Sequence, residues 1–199
     1  MANASRKPVT PTREPYLTGQ LALAPSELPR LWAAIERIDD EALLRLAVAT
    51  GIRREDIVHI ELAAIDLGDE LGWIGYWESK KRRSRKVPIS GEALRALKKH
   101  INAIPHRSRW LFPARRGTAG HLSGRTAWDV LNRALDRAGL ERRPFHALRG
   151  TCVKLAQTNG WSIEHIADLT GDSVRTIQMH YSVPSRAEMG IVAIQRPLE

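Results

Sequence analysis

Two arginines, a lysine, a histidine and a tyrosine stand at separated points of this 199-residue chain, and together they cover one chemistry. Arg53 closes the run Thr50-Gly51-Ile52-Arg53, and Lys80 opens a basic run. His146 and Arg149 bound His146-Ala147-Leu148-Arg149, and Tyr181 follows Ile177-Gln178-Met179-His180. The planar fork of arginine holds two phosphate oxygens at once, which lysine cannot do. Lysine and histidine move protons to and from the oxygens that leave and attack. A phenol with a reference pKa of about 10 is a poor nucleophile alone. Guanidinium groups beside it favour charge on the phenolate and on the pentacovalent transition state. The set predicts covalent phosphoryl transfer on a DNA phosphodiester that needs neither metal nor cofactor.

Taken singly, each residue has a plainer account. His146 and Arg149 lie three apart at an expected helix start, where side chains share a face and free N–H groups favour an anion. A surface histidine beside a solvated arginine fits the same pattern. Arg53 lies between two expected helices and needs no function there; Asp56, one turn on, is placed to hold its guanidinium. Six of the seven residues from Lys80 to Lys86 are basic, which suits a solvated hairpin tip as well as one facing DNA. Lys80 is expected at a strand end, where its position is better fixed than at a loop apex. Tyr181 at a helix end is ordinarily half-buried packing. Candidate DNA contacts are Lys81, Arg82, Arg83 and Arg85 of the basic run, with Arg115, Arg116 and Arg125 farther on.

Apolar residues at helical spacing predict helices over 28–38 and 41–50, the second ended by Gly51, and a third from Arg54 toward Ala64. Residues 73–77 and 86–89 are β-rich and predict a small antiparallel sheet with Pro88 at its edge. Ser90 caps a helix through 101, and Ser123 caps one to 138 that Gly139 closes. Further helices follow at about 146–158, 162–169 and 173–181. The fold class is α+β, mostly helical, with one small antiparallel sheet. Residues 1–20 read as a flexible N-terminal arm, 21–183 as one domain, and 184–199 as a tail.

A formal charge of +9 and a pI near 10.3 suit a polyanionic partner, since clustered Lys and Arg release counterions from phosphates. The single cysteine, Cys152, excludes an internal disulfide and fits a reducing compartment; it reads as a small core residue. No apolar run reaches the roughly 20 residues of a membrane span, and no signal-peptide segment follows the first residues. The expected location is cytoplasmic, with the nucleoid.

In their order and spacing these pieces resemble the catalytic domain of the tyrosine recombinases, the phage-integrase and Xer-like group, from about residue 21 to 183. The family's T-G-L-R-x-x-E box is similar to Thr50-Gly51-Ile52-Arg53-Arg54-Glu55-Asp56, with Asp56 in place of glutamate. Its lysine eight residues before the proline of a V-P-L/I strand corresponds to Lys80 before Pro88. Its H-x-L-R box falls on His146 to Arg149, its L-G-H box on Thr170-Gly171-Asp172, and its nucleophile on Tyr181. The resemblance implies that Arg53 and Arg149 clamp the scissile phosphate while Tyr181 attacks it to form a 3′-phosphotyrosyl link. It implies that Lys80 protonates the departing 5′ oxygen and that His146 assists proton transfer at the nucleophile. Double-stranded DNA is the implied partner, with self-association on it as a dimer or tetramer. The tail is implied to dock on a neighbouring protomer through Met189, Ile191, Val192 and Ile194; packing on its own domain fits equally.

There are two departures. Asp172 stands where the family has histidine or tryptophan. A carboxylate about 4 Å from a phosphate costs roughly 4 kcal/mol at an effective dielectric near 20, so Asp172 is expected to turn away and cap the helix starting at Ser173. Familiar members also place a helical DNA-clamping domain before the catalytic one, and the segment before residue 21 is too short for it. Two other readings stay open: a type IB topoisomerase-like nicking and closing enzyme, and a catalytically weakened DNA-binding protein that keeps the arginines.

Overall fold

A computed structural model describes residues 18–104, 108–115, 120–181 and 194. The first part of the chain folds as α1 (Leu28–Ala33), α2 (Ile38–Thr50), α3 (Arg54–Ile57), β1 (Ile65–Leu67), β2 (Leu71–Glu78), β3 (Arg83–Ser90) and α4 (Gly91–Ala103). The second part is helical: α5 (Gly124–Arg137), α6 (Ala147–Thr158), α7 (Ile163–Thr170) and α8 (Val174–His180). The mostly helical α+β class is as expected, and several boundaries are not. The helix expected over 28–38 stops at Ala33, and Arg37, in extended conformation, opens α2 three residues earlier than expected. The helix expected toward Ala64 ends at Ile57 and gives way to a 3-10 turn (Leu62–Ala64) and β1. A three-residue strand is too short to show alternation; its register, Ile65↔Ile74 to Leu67↔Gly72, comes from β2.

The antiparallel sheet has the order β1-β2-β3, which leaves Pro88 on an edge strand, where its missing N–H costs no ladder bond. Alternation along β2 turns Gly72, Ile74, Tyr76 and Glu78 inward. At the centre lies α2, which buries Ala42, Leu43, Leu44, Leu46 and Ala47 and touches α4, α5, α6 and β3. Leu148 and Cys152 on α6 join that core, while Val153 and Ala156 meet Ile166, Ala167, Ile177 and Tyr181 in a second cluster. Burial pushes the Cys152 thiol up to about 12, as suits an inert core residue. One end of the expected flexible arm is seated: Thr18–Leu21 form a 3-10 turn against α6. A Cβ on Gly19 would lie 3.0 Å from the Tyr181 Cα, so the turn approaches the backbone of that tyrosine closely. Residues 1–17 of the arm lie outside the described residues, as do Met189, Ile191 and Val192 of the tail.

Candidate active site

Arg149 projects from the first turn of α6 and is 2% exposed. Its Nη1 donates to the Gly51 carbonyl at 2.6 Å and its Nη2 to the Thr170 carbonyl at 2.7 Å. These carbonyls sit at the C-terminal ends of α2 and α7, where the peptide dipoles leave negative charge. Arg149 therefore joins two helix ends. Both ends close with a left-handed glycine, Gly51 at φ 63 and Gly171 at φ 77. At Gly171 a side chain would also strike the Arg85 guanidinium. Arg53 leads into α3, donating from Nη1 to Glu78 Oε1 at 2.8 Å and from Nη2 to Asp172 Oδ1 at 3.0 Å.

Asp172 does not turn away, contrary to expectation. Ser173 caps α8, accepting from the Thr176 N–H at 3.1 Å. That leaves the Asp172 carboxylate free to span the arginines: Oδ1 on Arg53, and Oδ2 at 2.6 Å from Arg149 Nη2 and 3.1 Å from its Nε. One oxygen on each guanidinium is the arrangement a bridging phosphodiester would take. The expectation counted only repulsion between the carboxylate and a phosphate, and left out attraction to the arginines. In the free protein, two largely enclosed guanidinium groups attract the nearest carboxylate.

Tyr181 follows α8 and is 3% exposed, its ring in the cluster of α6, α7 and α8. Its hydroxyl lies 3.2 Å from Nε2 of His146, the residue that leads into α6. Burial raises the phenol's pKa, against the pull of the Arg149 charge. The ring of His146 moves the other way: desolvation, then the charge of Arg149, lowers its pKa to about 4. A neutral imidazole with its proton on Nδ1 accepts from the phenol and can take that proton as the oxygen attacks. NMR titration of the free protein is expected to show His146 neutral down to pH 5; a midpoint at or above 6.5 overturns this. Because the unfolded chain protonates this ring near its ordinary 6.5, the group lowers stability as pH falls from that value toward about 4.

Lys80 lies on the exposed turn Ser79–Arg82, two residues past the end of β2 rather than at the strand end expected. Its charge is near enough to contribute to the lowering at His146. The turn is nevertheless fixed. Asp56 Oδ1 accepts from the Ser79 hydroxyl at 2.6 Å and from its N–H at 3.2 Å. Asp56 thus anchors the Lys80 turn and does not hold Arg53, as its spacing suggested. Glu78, which sequence reasoning missed, holds Arg53. A signal was present: counting by twos from Ile74 and Tyr76 places Glu78 on the inward face of β2, where a charge needs a partner.

Most of the basic candidates are engaged within the chain. Lys81 Nζ donates to the Gly171 carbonyl at 2.6 Å, and Arg83 Nε to Glu78 at 2.9 Å. Arg85 turns inward to the Asp168 carbonyl with its side chain 8% exposed, so it braces β3 against α7 instead of facing outward. Arg115 pairs with Asp39 and Asp40. Arg125, 76% exposed, pairs with Asp129 at 3.2 Å and lies over Trp128. Arg82 is exposed on the turn; Arg116 is outside the described residues.

Arg53, His146, Arg149 and Tyr181 thus come together from separated points of the chain, and the Lys80 ammonium is near enough for its charge to act on His146. Such a set has the groups to hold a phosphodiester and to present a nucleophile to it, on a helical domain with a three-stranded sheet. The chain belongs to the phage integrase family, whose model matches residues 22–187. It is 28% identical over 153 residues to the integrase of Salmonella phage P22, covering 70% of this chain and 38% of that protein. It is 29% identical over 180 residues to tyrosine recombinase XerC of Herpetosiphon aurantiacus, covering 86% of this chain and 57% of the relative. Among solved structures, XerA recombinase superposes with a TM-score of 0.76 at 22% identity, over 89% of this chain and 66% of that one. A lambda integrase (75-356) dimer bound to a COC′ core site gives 0.66 at 20% identity, over 83% of this chain and 60% of that one. The chain spans 38% to 57% of the length of the first relatives matched. Among the described residues, no helix is long and apolar enough to cross a membrane.

Proposed function

We propose that this chain carries the catalytic domain of a site-specific DNA recombinase that cuts and rejoins strands through a 3′-phosphotyrosyl intermediate. The observation that carries this reading is the Tyr181 hydroxyl 3.2 Å from His146 Nε2, beside the Arg53–Arg149 clamp. Once a scissile phosphate displaces Asp172, both guanidinium groups neutralise its developing charge. The phenol gives its proton to His146 as its oxygen bonds to phosphorus. The P–O5′ bond breaks, and Lys80 supplies the proton that the leaving oxygen takes. A 5′ hydroxyl from a partner strand reverses the sequence, so the bond energy is held by the protein throughout.

Lambda integrase has been solved as a tetramer bound to a Holliday junction. The same kind of assembly on double-stranded DNA, in the nucleoid, completes the reading for this chain. Asp172 favours a second reading, a catalytically weakened DNA-binding protein, because a carboxylate occupies the seat the phosphate needs. A duplex nicked near a site recovered from genomic DNA by selection separates the two. The proposed activity yields a covalent protein–DNA adduct whose DNA-linked peptide contains Tyr181. Retarded migration with no adduct leaves only the binding protein.

A further inference from the structure

We propose that Glu78 is a positioning residue that locks the phosphate clamp and the Lys80 turn into one register. The inference rests on the strand-transfer reading above and adds a residue to it. Glu78 ends β2 with its side chain fully buried, and its two oxygens face different parts of the site. Oε1 accepts from Arg53 Nη1 at 2.8 Å, which fixes the plane of the guanidinium while its Nη2 points into the phosphate seat. Oε2 accepts from Arg83 Nε at 2.9 Å. Glu78 and Arg83 are Cα partners across the base of the turn that carries Lys80. Their ion pair therefore closes that turn on one side, and the Asp56–Ser79 bonds hold it on the other.

Burial raises the carboxyl's pKa, but the bonds from Arg53 and Arg83 outweigh this and hold it below the ordinary range, so the group stays charged. A rigid chain of contacts thus runs from Arg53 through Glu78 to the strand after Lys80. In the reaction as read above, Arg53 acts on the phosphate and Lys80 on the oxygen that leaves it. The two must keep a fixed separation, because a displacement on the order of 1 Å costs about 100-fold in rate.

The two ends of this chain can be tested separately. Arg83→Ala breaks only the turn side, and the arginine is half exposed, so the fold is kept. Glu78→Gln weakens both sides. Cleavage is measured on a duplex sequence that the wild-type protein selects from genomic DNA by binding, with either oxygen or sulfur at the bridging 5′ position of the linkage. A thiolate leaves without being protonated, so the sulfur duplex does not depend on Lys80. Arg83→Ala is expected to slow cleavage of the oxygen duplex by about 100-fold and to cleave the sulfur duplex at close to the wild-type rate. Glu78→Gln is expected to be slow on both, with partial recovery on sulfur and DNA affinity within about threefold of wild type. Equal losses on both duplexes for Arg83→Ala, or wild-type rates for both variants, overturn the proposal. If the wild-type protein forms no adduct on either duplex, the strand-transfer reading fails and the proposal falls with it.

Discussion

Replacing Tyr181 with phenylalanine is expected to abolish the covalent DNA adduct and leave folding and DNA binding nearly intact. The ring keeps its place among Val153, Ala156, Ile166 and Ile177, because phenylalanine fills the same volume. Only the hydroxyl is lost, with its bond to His146 and its interaction with Arg149, at a cost of about 1–2 kcal/mol, so the Tm should fall by no more than roughly 8 °C. Both arginines proposed to hold the phosphate remain, so affinity should change little. The expected result is complete loss of adduct on a nicked duplex with binding within about threefold of wild type. An adduct that persists would assign the nucleophile elsewhere. A grossly unfolded variant would show that the hydroxyl carries structural load beyond its contacts with His146 and Arg149.

Asp172→Asn is expected to move activity and stability in opposite directions. In the free protein the carboxylate is the partner of Arg53 and Arg149, and Arg149 is nearly fully buried. Breaking such a pair from one side costs about 3 kcal/mol, or roughly 6–12 °C in Tm. In the proposed reaction the same carboxylate competes with the scissile phosphate for both guanidinium groups. At an effective dielectric near 20, two unit charges about 4 Å apart repel by roughly 4 kcal/mol, so removing one lifts cleavage by at least about tenfold and at most about a thousandfold. Asp172→His should also accelerate cleavage, since an imidazole can donate to the phosphate. DNA should raise the Tm of Asp172→Asn more than that of the wild type, because its phosphate restores the missing anion. Unchanged or slower cleavage by either folded variant would show that Asp172 is no obstacle to the phosphate.

Legibility in the sequence followed the range of the interaction. The helices that form α2, α5, α6 and α7 repeat their apolar residues every three or four positions, and serine or glycine marks their ends. That Arg53, His146, Arg149 and Tyr181 belong together could be read as well, because short boxes of fixed spacing carry them. The length of α1 and the existence of β1 could not, since both depend on what packs against them. Among site residues, Asp172 and Asp56 were noticed and given the wrong partners, and Glu78 was passed over. Each is an acid whose partner lies far along the chain: 119 positions from Asp172 to Arg53, 23 from Asp56 to Ser79 and 25 from Glu78 to Arg53.

The chain's own order of residues therefore determined which groups could hold a phosphate, attack it and move its protons, because residue type sets chemistry and local spacing sets which helix end presents it. Tertiary structure alone decided how the charges are paired. Coulomb attraction acts through space, so a carboxylate goes to the nearest unpaired guanidinium whatever the sequence distance between them. Folding brought Asp172 to the clamp, Glu78 to Arg53 and Asp56 to the turn beneath Lys80.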